Sequence, residues 1–294
     1  MKTKVSAAVI FILLISAAIA QAKYADLAGT WYSGSPSVLS SEIRQYLSDA
    51  DVPEIQGEPV AFIVPHAGYR FSGPVAAYSY KAAARLNPAT AVVVGFSHRR
   101  YFPGISVFDE ESYTTPLGTI YSDRAITEKL ISYDKRIRYY APAFSGENSI
   151  EMQIPFIQTA FKDSKIVLVE LGPQDHDNIT LLANALYDTL KDEKDYVILA
   201  STDMSHYLTY DKANDKDSHT VDIIKKFDPE LLYSESVKNN NELMCGCGAV
   251  VATMIASKKL GADKLSVLKY ANSGDTYGDK NRVVGYLSAV LIKE

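Results

Sequence analysis

Short apolar, β-branched runs alternate along the chain with longer segments in which apolar residues recur every three or four positions. The runs fall at 60–64, 91–96, 165–171, 196–200, 265–270 and 283–292, and runs of that length and composition predict buried strands. Helical spacing appears between them at 38–47 after a Ser-rich start, at 74–86 with a proline in the first turn, and at 126–131, 150–161, 179–190, 220–227 and 249–259. Strand alternating with helix predicts an α/β fold in which helices cover both faces of a mostly parallel or mixed sheet. No repeat, low-complexity tract or Pro/Gly/Ser-rich linker divides the chain, so residues 23–294 are expected to form one domain.

The N-terminus departs from this pattern. Met1-Lys2-Thr3-Lys4 is basic and leads into an apolar run from Val5 to Ala20, followed by the small-residue sites Ala18-Ile19-Ala20 and Ala20-Gln21-Ala22. That is the pattern of a secretory signal over residues 1–22, cleaved near Ala20 or Ala22. The run is shorter than the ~20 apolar residues a spanning helix needs. No Cys follows it to accept a lipid, and no later stretch is apolar enough to span a bilayer. The expected mature protein is therefore exported, periplasmic or secreted, with no stable membrane anchor. Loss of Lys2 and Lys4 moves the formal charge from −5 to −7, and a mildly acidic surface argues against nucleic-acid partners, which select basic stripes. At 47% hydrophobic and 22% charged the composition is that of a globular domain. The two cysteines, Cys245 and Cys247, lie too close in sequence to staple distant segments.

Polar residues cluster where three of the runs end. The first ends in Pro65-His66-Ala67-Gly68-Tyr69-Arg70, the second in Gly95-Phe96-Ser97-His98, and a later one in Ser201-Thr202-Asp203-Met204-Ser205-His206. In open parallel sheets ligands bind outside the carboxyl ends of the strands, where the loops diverge. A lone histidine there is ordinarily a hydrogen-bonded core residue, but three of the chain's five leave apolar strands at the same end. His176 and His219 stand in polar contexts and read as surface. Asp203 suits a metal ligand and equally the N-cap of a following turn. Cys245 lies in Leu243-Met244-Cys245-Gly246-Cys247-Gly248, just before the last long helix. A thiol at a helix N-terminus is expected to lose its proton more readily and so to bind metal. Cys247 reads as packing or as a redox partner. Imidazole with thiolate or carboxylate makes a site for iron, copper or zinc rather than magnesium or calcium.

Taken together, Pro65-His66-Ala67-Gly68-Tyr69 with Ser72-Gly73, Gly95-Phe96-Ser97-His98, Glu147-Asn148-Ser149-Ile150-Glu151-Met152-Gln153-Ile154-Pro155-Phe156, Ser201-Thr202-Asp203-Met204-Ser205-His206 and Ala271-Asn272-Ser273-Gly274-Asp275 resemble the Memo family. Its bacterial and archaeal members are called AmmeMemoRadiSam system protein B. Ala28-Gly29-Thr30-Trp31-Tyr32 and Gly285-Tyr286 extend the resemblance over nearly the whole mature chain. The resemblance implies a three-layer α/β/α sandwich similar to class III extradiol dioxygenases. It implies His66, His98 and Cys245 as metal ligands, with Asp203 and His206 lining the same pocket and iron or copper as the metal. One departure is Asn148, which stands where the family often has His.

Two readings follow. One is a mononuclear iron or copper oxidoreductase of dioxygenase-like type, with His206 as general acid or base and Asp203 orienting it. In it Tyr69, Arg70 and Ser97 contact a small-molecule substrate. The other is a non-catalytic protein that uses the same crevice to hold metal or a peptide. A Cys245–His206–Asp203 hydrolase is a third arrangement of the same residues, one that leaves His66 and His98 without a role.

Overall fold

The structure is a computed structural model that describes residues 22–294; the expected signal segment, apart from Ala22, lies outside the described residues. The strands are β1 (Ala22–Tyr24), β2 (Glu58–Val64), β3 (Thr90–Phe96), β4 (Ile105–Val107), β5 (Ser112–Thr115), β6 (Gly118–Tyr121), β7 (Ile137–Arg138), β8 (Lys165–Leu171), β9 (Tyr196–Ser201), β10 (His206–Leu208), β11 (Lys264–Asn272) and β12 (Val283–Lys293). Nine of them form one sheet in the order β10-β12-β2-β9-β3-β8-β4-β7, with β11 also on β12. Strands β1, β5 and β6 make a separate three-stranded sheet.

The sheet is mixed rather than mostly parallel. Its interior, β2-β9-β3-β8, is parallel throughout, while β12 joins β2 and β4 joins β8 in antiparallel register. The interior strands are the apolar runs read from the sequence, and all seven residues of β3 are buried. Such a strand must be covered on both faces. Val92 and Val94 face a core shared with helices His176–Leu190 and Cys247–Lys259, while Ala91 and Val93 face one shared with helices Pro36–Asp49 and Tyr69–Ala83. Helix, sheet, helix is the three-layer α/β/α sandwich that was expected.

Several helices differ from the expected bounds. The helix expected at 74 starts at Tyr69, with Pro74 inside it. The N–H that proline lacks would have served only Arg70, an exposed residue. The segment 150–161 breaks into Asn148–Glu151 and Ile154–Ala160 around Pro155. The helix expected at 220 begins at Tyr210, because its buried face includes Asp217, a polar residue that interrupts the apolar period. Helix Pro229–Lys238 and the short strands β1, β4, β5, β6, β7 and β10 carry too few apolar residues to show in the pattern. Among the described residues no helix is long and apolar enough to cross a membrane.

Candidate metal centre

Because β9 lies between β2 and β3, the three loops bearing His66, Asp203 and His98 leave the sheet side by side. His66 follows β2 by two residues and is buried. Its backbone N–H donates to Asp203 Oδ1 at 2.8 Å and its Nδ1 lies 2.9 Å from Ser201 Oγ, on the last residue of β9. His98 follows β3, and its Nδ1 and backbone N–H each lie 2.7 Å from an oxygen of the buried Glu147 carboxylate. The two imidazoles meet edge to face with centroids 5.2 Å apart. Since Nδ1 is engaged on each ring, Nε2 is the free donor.

Cys245 reaches the same point from the far side of the sequence. Its N–H donates to the Asp203 carbonyl at 3.1 Å, Gln174 Nε2 donates to its carbonyl at 2.8 Å, and Gly246 N–H donates to Thr202 Oγ1 at 2.9 Å. A Cβ on Gly246 would collide with the Ser201 carbonyl, so only glycine lets this loop close on β9. Cys245 Sγ lies 3.3 Å from His66 Nε2, and one donor atom from each of His66, His98 and Cys245 falls within 4.8 Å of the other two. No other group of three His, Cys, Asp or Glu among the described residues is arranged to hold a metal in this way.

The electrostatics correct one expectation. The helix following Cys245 begins at Cys247 with Gly246 as its cap, and Thr202 and Gln174 side chains already accept the Gly246 and Gly248 N–H groups. The sulfur accepts instead from the Asp203 N–H at 3.2 Å. Burial first, and the Asp203 carboxyl second, push the thiol well above its ordinary range. The helix terminus therefore does not generate a free thiolate; a cation among these donors would supply the charge that the dipole does not. Burial likewise holds His66 neutral, with His98 and His206 adding to the effect.

Asp203 is fully buried and lies outside the close triad. Its carboxyl is pushed up to about 7 by burial, against the opposing pull of hydrogen bonds from the His66 and Ala67 backbone. It caps the turn of another strand rather than its own. His206 opens β10 and is exposed, and the surrounding protein, then His98, hold its imidazole below the usual range. Tyr69 and Arg70 line a cleft of about 700 Å³ together with Trp31, Tyr32, Tyr207 and Arg282. Tyr69 donates its hydroxyl to the Met152 carbonyl at 2.8 Å, which leaves its ring to shape the wall. Ser97 lines a different cleft of about 510 Å³, beside Cys245 and Cys247. Neither His176 nor His219 joins the cluster, and both are exposed. Sequence reasoning did not mention Gln174, and it quoted Ser201, Thr202, Glu147 and Gln153 only within motifs.

Fold and site together define an α/β sandwich with two imidazoles and one sulfur gathered at the carboxyl edge of its parallel strands. The family described as Memo-like protein matches residues 23–290, and the chain belongs to it. It is 36% identical to a MEMO1 family protein of Saccharolobus solfataricus over 90% of this chain and 96% of that protein. Against a MEMO1 family protein of Sulfolobus acidocaldarius it is 37% identical over 89% of this chain and 96% of that protein. An uncharacterized Escherichia coli protein of known structure aligns with a TM-score of 0.47 and 14% identity over 72% of this chain and 91% of that one, a likeness too loose to bear on chemistry.

Proposed function

We propose that the protein is an exported metal-binding member of the Memo family whose centre holds iron or copper and has oxidoreductase character. The observation that carries the metal assignment is the convergence of His66, His98 and Cys245 donors within 4.8 Å of one another. The donor set fits a first-row transition ion: two borderline imidazoles and a soft sulfur, with no fourth His, Cys, Asp or Glu in the cluster among the described residues. The His98 side chain is 29% exposed, so solvent or substrate reaches the centre on that side. Bound there, the metal would supply redox chemistry. Around it, Glu147 and Ser201 aim the rings, and the Asp203 carboxyl, which the cation would ionise, is the nearby proton acceptor. His206, at the solvent edge, is the second proton carrier. Arg70 and Ser97 would meet the substrate from the two clefts, with the Tyr69 ring as a wall.

The aromatic and guanidinium lining of the larger cleft, Trp31, Tyr32, Arg70 and Arg282, also supports a non-catalytic reading in which the crevice grips a peptide or small ligand beside the metal. Elemental analysis of protein taken from its own compartment tests the shared part of both readings. Stoichiometric metal in wild type that is lost in His66→Ala and Cys245→Ala is expected, and unchanged metal in those variants removes the site. Oxygen consumption by metal-loaded protein separates the two, since a pure binder turns over with no reductant or catechol. Export follows from the N-terminal pattern alone and is tested by the N-terminal residue of protein recovered outside the cytoplasm, expected at 21 or 23.

A further inference from the structure

His98 is aimed by a carboxylate, the familiar partner for a metal-bound imidazole. His66 has no carboxylate on its ring; its Nδ1 meets the Ser201 hydroxyl at 2.9 Å. A serine hydroxyl can rotate, so by itself it orients a ring poorly. Here it is held. Gln153 Nε2 lies 2.9 Å from Ser201 Oγ and 3.1 Å from the Pro65 carbonyl, while Gln153 Oε1 accepts the Tyr80 hydroxyl at 2.7 Å. The Pro65 carbonyl can only accept, so the atom facing it must be the amide nitrogen, and the amide has one orientation. Ser201 Oγ thus receives a fixed N–H from Gln153 and keeps a second lone pair that can accept a proton from His66 Nδ1, the polarity that a cation on Nε2 requires. All five residues are buried, away from bulk solvent.

We infer that Ser201 and Gln153 are positioning residues for the metal centre, acting through His66. With a cation on Nε2 beside Cys245 the proton stands on Nδ1, Ser201 Oγ accepts it and so aims the ring, and Gln153 holds that oxygen in place. The opposite polarity, with Ser201 donating to Nδ1, puts the proton on Nε2 and takes that nitrogen out of the donor set. One stretch of seven residues then aims both rings: Glu147 at its start holds His98, and Gln153 at its end holds Ser201 against His66. Sequence separation hides this, because Gln153 lies 88 residues from Pro65 and 48 from Ser201.

The inference rests on metal binding by the triad, and the experiment keeps the two apart. Wild type, Cys245→Ala, Ser201→Ala and Gln153→Met are titrated with Co²⁺ and Zn²⁺ by chelator competition, with the cobalt spectrum, the zinc-loaded histidine ¹H–¹⁵N spectrum and metal-free thermal unfolding recorded for each. Expected are a sulfur-to-cobalt band in wild type, a 10- to 100-fold loss of affinity in Ser201→Ala, and a smaller loss in Gln153→Met. In the zinc-loaded wild type the His66 proton should sit on Nδ1, and its signature should shift or broaden in both variants. If Ser201→Ala does not fold, Gln153→Met carries the test through the same spectra. Failure of wild type to bind either ion removes the metal reading and this one with it. Wild-type binding with Ser201→Ala or Gln153→Met unchanged in affinity and in the His66 spectrum overturns this inference alone.

Discussion

Glu147 and Glu151 sit one turn apart on the same short segment, and both are fully buried, yet they do different things. Glu151 receives four donors: the Leu27 N–H and Tyr32 hydroxyl on Oε1, and the Asp26 N–H and Tyr113 hydroxyl on Oε2. Those donors come from the N-terminal segment and the small sheet, so Glu151 fastens that layer to the body. Glu147 receives the Ser149 N–H, the His98 N–H and the His98 ring. Burial alone therefore does not mark a functional carboxylate; the identity of its donors does.

Substitutions at these two positions should break the pair apart. The largest effect is expected for Glu151→Ala, which strands several buried donors at ~1–3 kcal/mol each and should lower stability by about 3–5 kcal/mol in urea unfolding. Its N-terminal segment should become protease-sensitive, while the protein that remains folded keeps wild-type metal affinity. Glu147→Gln should do the reverse: a loss of about 10- to 100-fold in metal affinity, with a stability change of only ~1–2 kcal/mol. If Glu147→Gln binds metal like wild type, the contrast collapses.

A proton count sharpens the same contrast on the site side. The thiol of Cys245 is raised in the metal-free protein and must lose its proton on binding, whereas His66 is already neutral because burial lowers its pKa. At pH 8, where Asp203 with its value of about 7 is mostly ionised, calorimetry in buffers of different ionisation enthalpy should find about one proton released per metal, with affinity rising about tenfold per pH unit. Below pH 7 the release should grow as a cation displaces the Asp203 proton as well. No release at pH 8 would mean that the sulfur is not a ligand. The smallest effect is expected for His206→Ala: metal affinity within about threefold of wild type, because the ring stands outside the triad, with any turnover reduced.

What could be read from the chain alone was whatever repeats locally. Interior strands declare themselves by unbroken apolar runs, and β8 matches its expected bounds at Lys165–Leu171. The loops after β2, β3 and β9 could be read because chemistry at strand ends is itself a local pattern, and the family motifs sit in those loops. Where a buried face carries a polar residue, as at Asp217, the period breaks and the helix start was misplaced by ten residues.

Tertiary structure decided the rest, because it turns on distance across the chain rather than along it. That β9 lies between β2 and β3, that Gly246 lets Cys245 close onto β9, and that Gln153 reaches Ser201 are consequences of sheet order and close packing. The protonation of Cys245 is the clearest case. Its place before a helix argues for a thiolate, but desolvation and the neighbouring Asp203 outweigh the helix end whose N–H groups other side chains have already taken.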